Sequence, residues 1–119
     1  MMRNVRLELA RTPDFPEGSS AHGYEFTAPL HPDGTLDEEA WKAERQACKV
    51  RRFWAGDEDE HGRLVHARNK SWAFHYDGTD SDHDEPIFRF DRHRFVEGEY
   101  VSITEHDGVQ RTFRVIRVR

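Results

Sequence analysis

The chain has one cysteine, Cys48, no apolar run long enough to cross a membrane, and no glycine-rich phosphate loop or nucleophile elbow. The first absence excludes an intrachain disulfide and any zinc site built on several thiolates. The second excludes a transmembrane helix, and the polar start Met1–Arg11 does not read as a signal peptide. The third removes the commonest sequence signs of nucleotide binding and serine hydrolysis. Together these readings place the chain in the cytoplasm, with no membrane partner. The Asn69-Lys70-Ser71 sequon is discounted for want of a secretion signal.

The sequence does have aromatics and charge. Eight Phe, three Trp and three Tyr stand in 119 residues, with 34% charged and 35% hydrophobic side chains. Each aromatic buries a large area, so a core can form despite the polar composition. The net charge of −5 is unevenly placed. Nine of the 23 acidic residues lie in two runs, Asp57–Glu60 and Asp77–Glu85, so the other 14 face 18 Lys and Arg. The body is therefore basic and two probable loops are acidic.

Hydrophobic alternation at period two dominates. Val5, Leu7 and Leu9 alternate with Arg6 and Glu8, and Tyr24, Phe26 and Ala28 repeat the pattern. Lys49–Ala55, Arg63–Ala67, Ser71–Tyr76 and Ile87–Asp91 read as further strands. Tyr100–Thr104 and Thr112–Val118 flank His106-Asp107-Gly108, a turn that joins antiparallel strands. One helix signal interrupts them. Thr35 and Glu38 form a capping box, and Leu36, Ala40, Ala43 and Ala47 share a face, which predicts a helix over 36–46. The expectation is a single mostly-β, α+β domain spanning 1–119, with no internal repeat. An antiparallel sheet of seven or eight strands curls into a small barrel or roll. Loops are expected at 10–21, 56–62 and 77–85, and a closing hairpin over 99–118.

Four constellations carry chemistry. His75, Asp80, Asp82 and His83 lie in the second acidic run, and alternate Asp side chains there echo a calcium loop. Glu85 and Pro86 stand where that loop needs its glycine, which leaves a looser divalent-metal site as the reading. A solvated acidic loop is the preferred alternative. The second is Phe88-Arg89-Phe90-Asp91-Arg92-His93-Arg94-Phe95, where aromatics interleave with arginines as on a single-stranded nucleic-acid surface. In a strand, the same spacing gives a core face and a solvated back.

The third is Lys49–Trp54, read with Val50 and Trp54 inside and both arginines outside. Arg51 and Arg52 could then join Arg89, Arg92 and Arg94 on one face as donors to a small anion. The acidic loops folding back onto those arginines is the preferred alternative. The fourth is Trp72, Phe74 and Tyr76, a ligand-lining stripe or simply core. Cys48 reads as a small buried hydrophobe rather than a nucleophile. No cofactor is implied beyond a divalent metal at the His75–Asp84 segment. The leading expectation is a non-enzymatic binding or protein-interaction module for a protein or a small anion. A metal-dependent hydrolase and a single-stranded nucleic-acid binder are the alternatives.

Overall fold

The computed structural model describes residues 1–66, 71–80, 83–87 and 89–119, with Asp91 described for its backbone only. Eight strands run antiparallel in sequence order: β1 Met2–Leu9, β2 Ser19–Pro29, β3 Lys49–Trp54, β4 Glu60–His66, β5 Trp72–Tyr76, β6 Glu85–Ile87, β7 Tyr100–Thr104 and β8 Gln110–Val118. Each pairs with the next, and β8 pairs with β1, so the sheet closes into an up-and-down barrel. Closure removes both sheet edges. The barrel is the tighter of the two shapes that the strand count allows.

Alternation decides which side chains face in. Val5, Leu7 and Leu9, then Tyr24, Phe26 and Ala28, then Leu64, Phe74, Ile103, Phe113 and Val115, are all buried. Arg6, Glu25 and Arg51 face out and pair with one another, Glu25 lying 2.6 Å from Arg6 and 3.3 Å from Arg51. Apolar inside and charged outside is the reverse of an outer-membrane barrel. Among the described residues, no helix is long and apolar enough to cross a membrane.

The two barrel ends differ. The connections β1–β2, β3–β4, β5–β6 and β7–β8 meet at one end, here the hairpin end. The β2–β3 and β6–β7 connections cover the other, here the helix end. At the hairpin end, Gly108 takes φ 82° with open space around it, as the tip of the closing turn requires.

Several local expectations need correction. The helix α1 spans Glu38–Glu44 and continues as a 3₁₀ turn, Arg45–Ala47. Its cap is Asp37, whose Oδ1 accepts from the Ala40 N–H at 3.1 Å, and not Thr35. Thr35 instead donates from its hydroxyl to Asp33 Oδ1 at 2.6 Å. Leu36 bridges to Leu30, and Asp37 N–H bonds the Pro29 carbonyl, which holds this segment extended and delays the helix. The expected loops are also shorter, because β2 starts at Ser19, β4 takes in Glu60 and β6 takes in Glu85. Glu60 stands opposite Arg52 in register, and that cross-strand charge pair suits the ladder.

The strand expected over Ile87–Asp91 does not run through Arg89. Arg89 adopts a left-handed backbone, φ 51°, and Phe90–Arg92 form a 3₁₀ turn. Phe90 is still buried, because the turn drops it onto Phe26, Trp72 and Phe95. The interleaved aromatic–basic segment is therefore no extended surface for stacking bases. Phe88 lies outside the described residues.

Candidate ligand-binding site

The inward rows carry six charged residues as well as the apolar ones, among them Glu60 opposite Arg52 and Arg111 opposite Ile103. Arg3 precedes Val5 and Leu7 in the inward row of β1, and Arg52 follows Val50 in β3. Glu85 precedes Ile87 in β6, and Glu105 extends the row of Val101 and Ile103. All but Arg3 meet at the hairpin end.

There the Tyr24 hydroxyl lies 3.0 Å from Glu85 Oε1 and 2.7 Å from Glu105 Oε2. The Tyr76 hydroxyl donates to Glu85 Oε1, and the His106 backbone N–H donates to Glu85 Oε2 at 3.0 Å. Arg52 donates to Glu105 Oε2 from Nε at 3.1 Å and from Nη2 at 2.9 Å, while Arg111 Nη1 reaches Glu105 Oε1 at 2.7 Å. The Arg52 guanidinium also lies 4.5 Å over the Trp54 ring. Burial pushes the Glu85 carboxyl up, against the Tyr76 and His106 bonds that favour its charged form. Glu85 and Glu105 are 0% and 2% exposed. A shallow cleft of about 320 Å³ outside them is lined by Arg52, His106 and the acids of the β3–β4 turn. Every oxygen in this cluster already has a partner inside the protein. It ties β2, β3, β5, β6 and β8 to the β7–β8 turn.

The helix end is built differently. A pocket of about 550 Å³ is walled by Leu30 and His31 from the β2–α1 connection, Phe95 and Val96 from the β6–β7 connection, and Arg3 and Val118 from the strand ends. Two bonds staple the connections together: Phe95 N–H to the Gly34 carbonyl at 2.8 Å, and Arg94 Nε to the Asp33 carbonyl at 3.1 Å. Gly34 sits at φ 91°, and a Cβ there would come 3.0 Å from the Phe95 nitrogen, so the close approach needs glycine. Leu30 and Phe95 form an apolar floor. Arg3 Nε is buried without a hydrogen-bond partner, and among the described residues no carboxylate pairs with its guanidinium.

The residues singled out in the sequence are dispersed. Arg51 lies outside the barrel between Glu25 and Asp59, 2.9 Å from the latter, so an acidic loop does fold back onto it. Arg52 points inward, because it shares a parity with Val50 that an outward reading ignores. Trp72 is core, 4.7 Å from Trp41 and stacked on the His66 ring at 4.4 Å. Arg89, exposed Arg92 and Arg94 belong to the β6–β7 connection, on the far side of the barrel from β3. The five arginines do not form one face.

In the acidic run, His75 Nδ1 lies 2.6 Å from Asp84 and His83 Nδ1 lies 3.1 Å from Asp80. Asp82 lies outside the described residues. Among the described residues, no three His, Cys, Asp or Glu side chains are placed to hold a metal. Cys48 is buried, and burial pushes its thiol up to about 11, which keeps it protonated near neutral pH. Sequence reasoning missed Arg3, Glu85 and Glu105. The signal was there, since each stands two residues from a core aliphatic in its own strand row.

No protein-family model, no curated protein and no solved structure matches this chain, so any functional reading rests on its own geometry.

Proposed function

We propose that this chain is a non-enzymatic binding module that takes a small ligand at the helix end of the barrel. The observation that carries the reading is the 550 Å³ pocket, apolar in its floor and lined by Arg3, with which no carboxylate pairs among the described residues. Ligand sites are concave, largely apolar, and hold a few placed polar groups, with volumes of roughly 300–1,000 Å³. Barrel mouths are among their usual positions. Elsewhere the interior is filled by Tyr24, Phe26, Phe74 and Phe113 in mutual ring contact at 5.1–5.5 Å, which leaves the mouth as the place for a guest.

Amide-shift mapping by NMR, with a panel of small acids, alcohols and amines, tests the reading. Shifts are expected at Leu30–Gly34 and Phe95–Glu97, with Thr104–Val109 unmoved. A panel that moves no amide at the helix end, or moves only those around the acidic turns, would refute it.

A further inference from the structure

Resting on that binding reading, we propose that the ligand is an amphipathic monocarboxylate, a hydrocarbon body with a single carboxylate head. The head belongs at Arg3. This residue continues the inward row of Val5 and Leu7, and its register partner on β2 is Ala28. A guanidinium is planar, permanently charged and forked, and it matches a carboxylate with two parallel hydrogen bonds. Arg3 lines the pocket and no carboxylate pairs with it among the described residues, so a carboxylate is the group that complements its charge.

The body belongs on the floor. Leu30 and Phe95 are 4% and 1% exposed, and Val96 and Val118 are half-buried beside them. These side chains offer contacts but no donor, so the part of the ligand that meets them is apolar.

The charge at the mouth limits the head to one. Glu97 lines the same pocket and is exposed at its rim, where it repels any second negative charge. His31 and the Met1 α-ammonium are the other titratable groups of the wall: His31 is half-exposed and faces Asp37 at 3.9 Å, and the ammonium donates to the Leu30 carbonyl at 3.3 Å. Two cations, the Arg3 guanidinium and the Met1 ammonium, opposed by the Glu97 carboxylate leave a surplus of one positive charge, which suits a monoanion and disfavours a phosphate or a dicarboxylate.

The test titrates the full chain with octanoate, 1-octanol, octylamine and inorganic phosphate, read by NMR shifts and calorimetry, alongside Arg3→Ala. Octanoate is expected to bind at Leu30, Gly34, Phe95 and Val96, about ten- to a hundred-fold more tightly than octanol. Arg3→Ala is expected to erase that preference while leaving octanol binding in place. Its melting temperature reports whether the variant is folded, and Arg3→Gln is a second variant that keeps the volume and removes the charge. Equal binding of octanoate and octanol, or a preference that survives both substitutions, would overturn the head-group assignment while the pocket stands. Octylamine or phosphate binding best would overturn it too, by making Glu97 or a multivalent anion the determinant. If no hydrocarbon probe moves an amide at the helix end, the binding reading itself fails.

Discussion

Each end of this barrel holds arginine on an inward row, Arg52 and Arg111 at one and Arg3 at the other, and Arg52 and Arg3 do opposite things. At the hairpin end, Arg52 is 6% exposed and reaches Glu105 twice, with Glu85 and Glu60 each at 3.7 Å. At the helix end, Arg3 stands half-buried with its Nε unmet. The residue type and the facing rule are shared, so the difference comes from what the neighbouring strands supply. β6 and β7 send glutamates into the barrel at one end, and Ile87, Ile103 and Val101 further along. An inward charge therefore indicates structure or binding according to whether its counter-charges come from within the protein.

The comparison breaks most visibly at Arg52. Arg52→Ala leaves buried Glu85 without its nearest arginine and Glu105 with Arg111 alone, and is expected to cost about 3–5 kcal/mol. Chemical denaturation of the variant and the parent measures it. A loss below about 1 kcal/mol would mean that the cluster is dispensable and the contrast between the ends is only geometric.

A second effect is read in pH. Burial raises the Glu85 carboxyl above its ordinary value of 4.5. A carboxyl that is harder to ionise in the folded chain binds protons more tightly there than in the unfolded chain. Its contribution to stability is therefore complete below about pH 4.5, and is lost as pH rises through the folded value. Glu85→Gln has no such proton to lose, so its stability relative to the parent should increase as pH rises from about 4 to 8. A difference that is flat across that range, in denaturation curves taken at each pH, would contradict the burial argument.

The smallest effects belong to the helix end. Asp37→Ala removes the cap of a helix of seven residues and should cost about 1 kcal/mol. In the same denaturation series, Arg3→Ala should change stability by no more than about 0.5 kcal/mol, because it breaks no bond within the protein. A large loss at Arg3 would show it to be structural after all, and would erase the difference between the two ends.

Much of the fold was legible because period two repeats so plainly in Val5–Leu9, Tyr24–Ala28 and Trp72–Tyr76. Those runs, with the Asp107-Gly108 turn, are enough to imply an antiparallel sheet that curls. The site was far less legible. Lys49–Trp54 holds adjacent arginines, and reading both as solvent-facing follows residue type where parity puts Arg52 inside. Glu85 was hidden in an acidic run that looks like loop, although Ile87 fixes its face. The Phe88–Phe95 segment misled in the other direction. Its aromatics are spaced as in a strand, but Arg89 turns left-handed and Phe90 reaches the core from a 3₁₀ turn. Local patterns cannot report such a turn, nor whether the partner of an inward charge lies sixty residues away.

The pairing of β8 with β1 also has a kinetic consequence. Leu9 meets Phe113 and Val5 meets Val118, contacts that span almost the whole described chain. Until β8 docks, β1 presents a row of unpaired amides beside Val5 and Leu7, a template for any other extended strand. Loops that long close slowly, so folding should be rate-limited by the arrival of the last hairpin, and aggregation should compete during that interval. The charged outer row of β1, Arg6 and Glu8, lies along the same exposed edge and works against such mispairing while the barrel is still open.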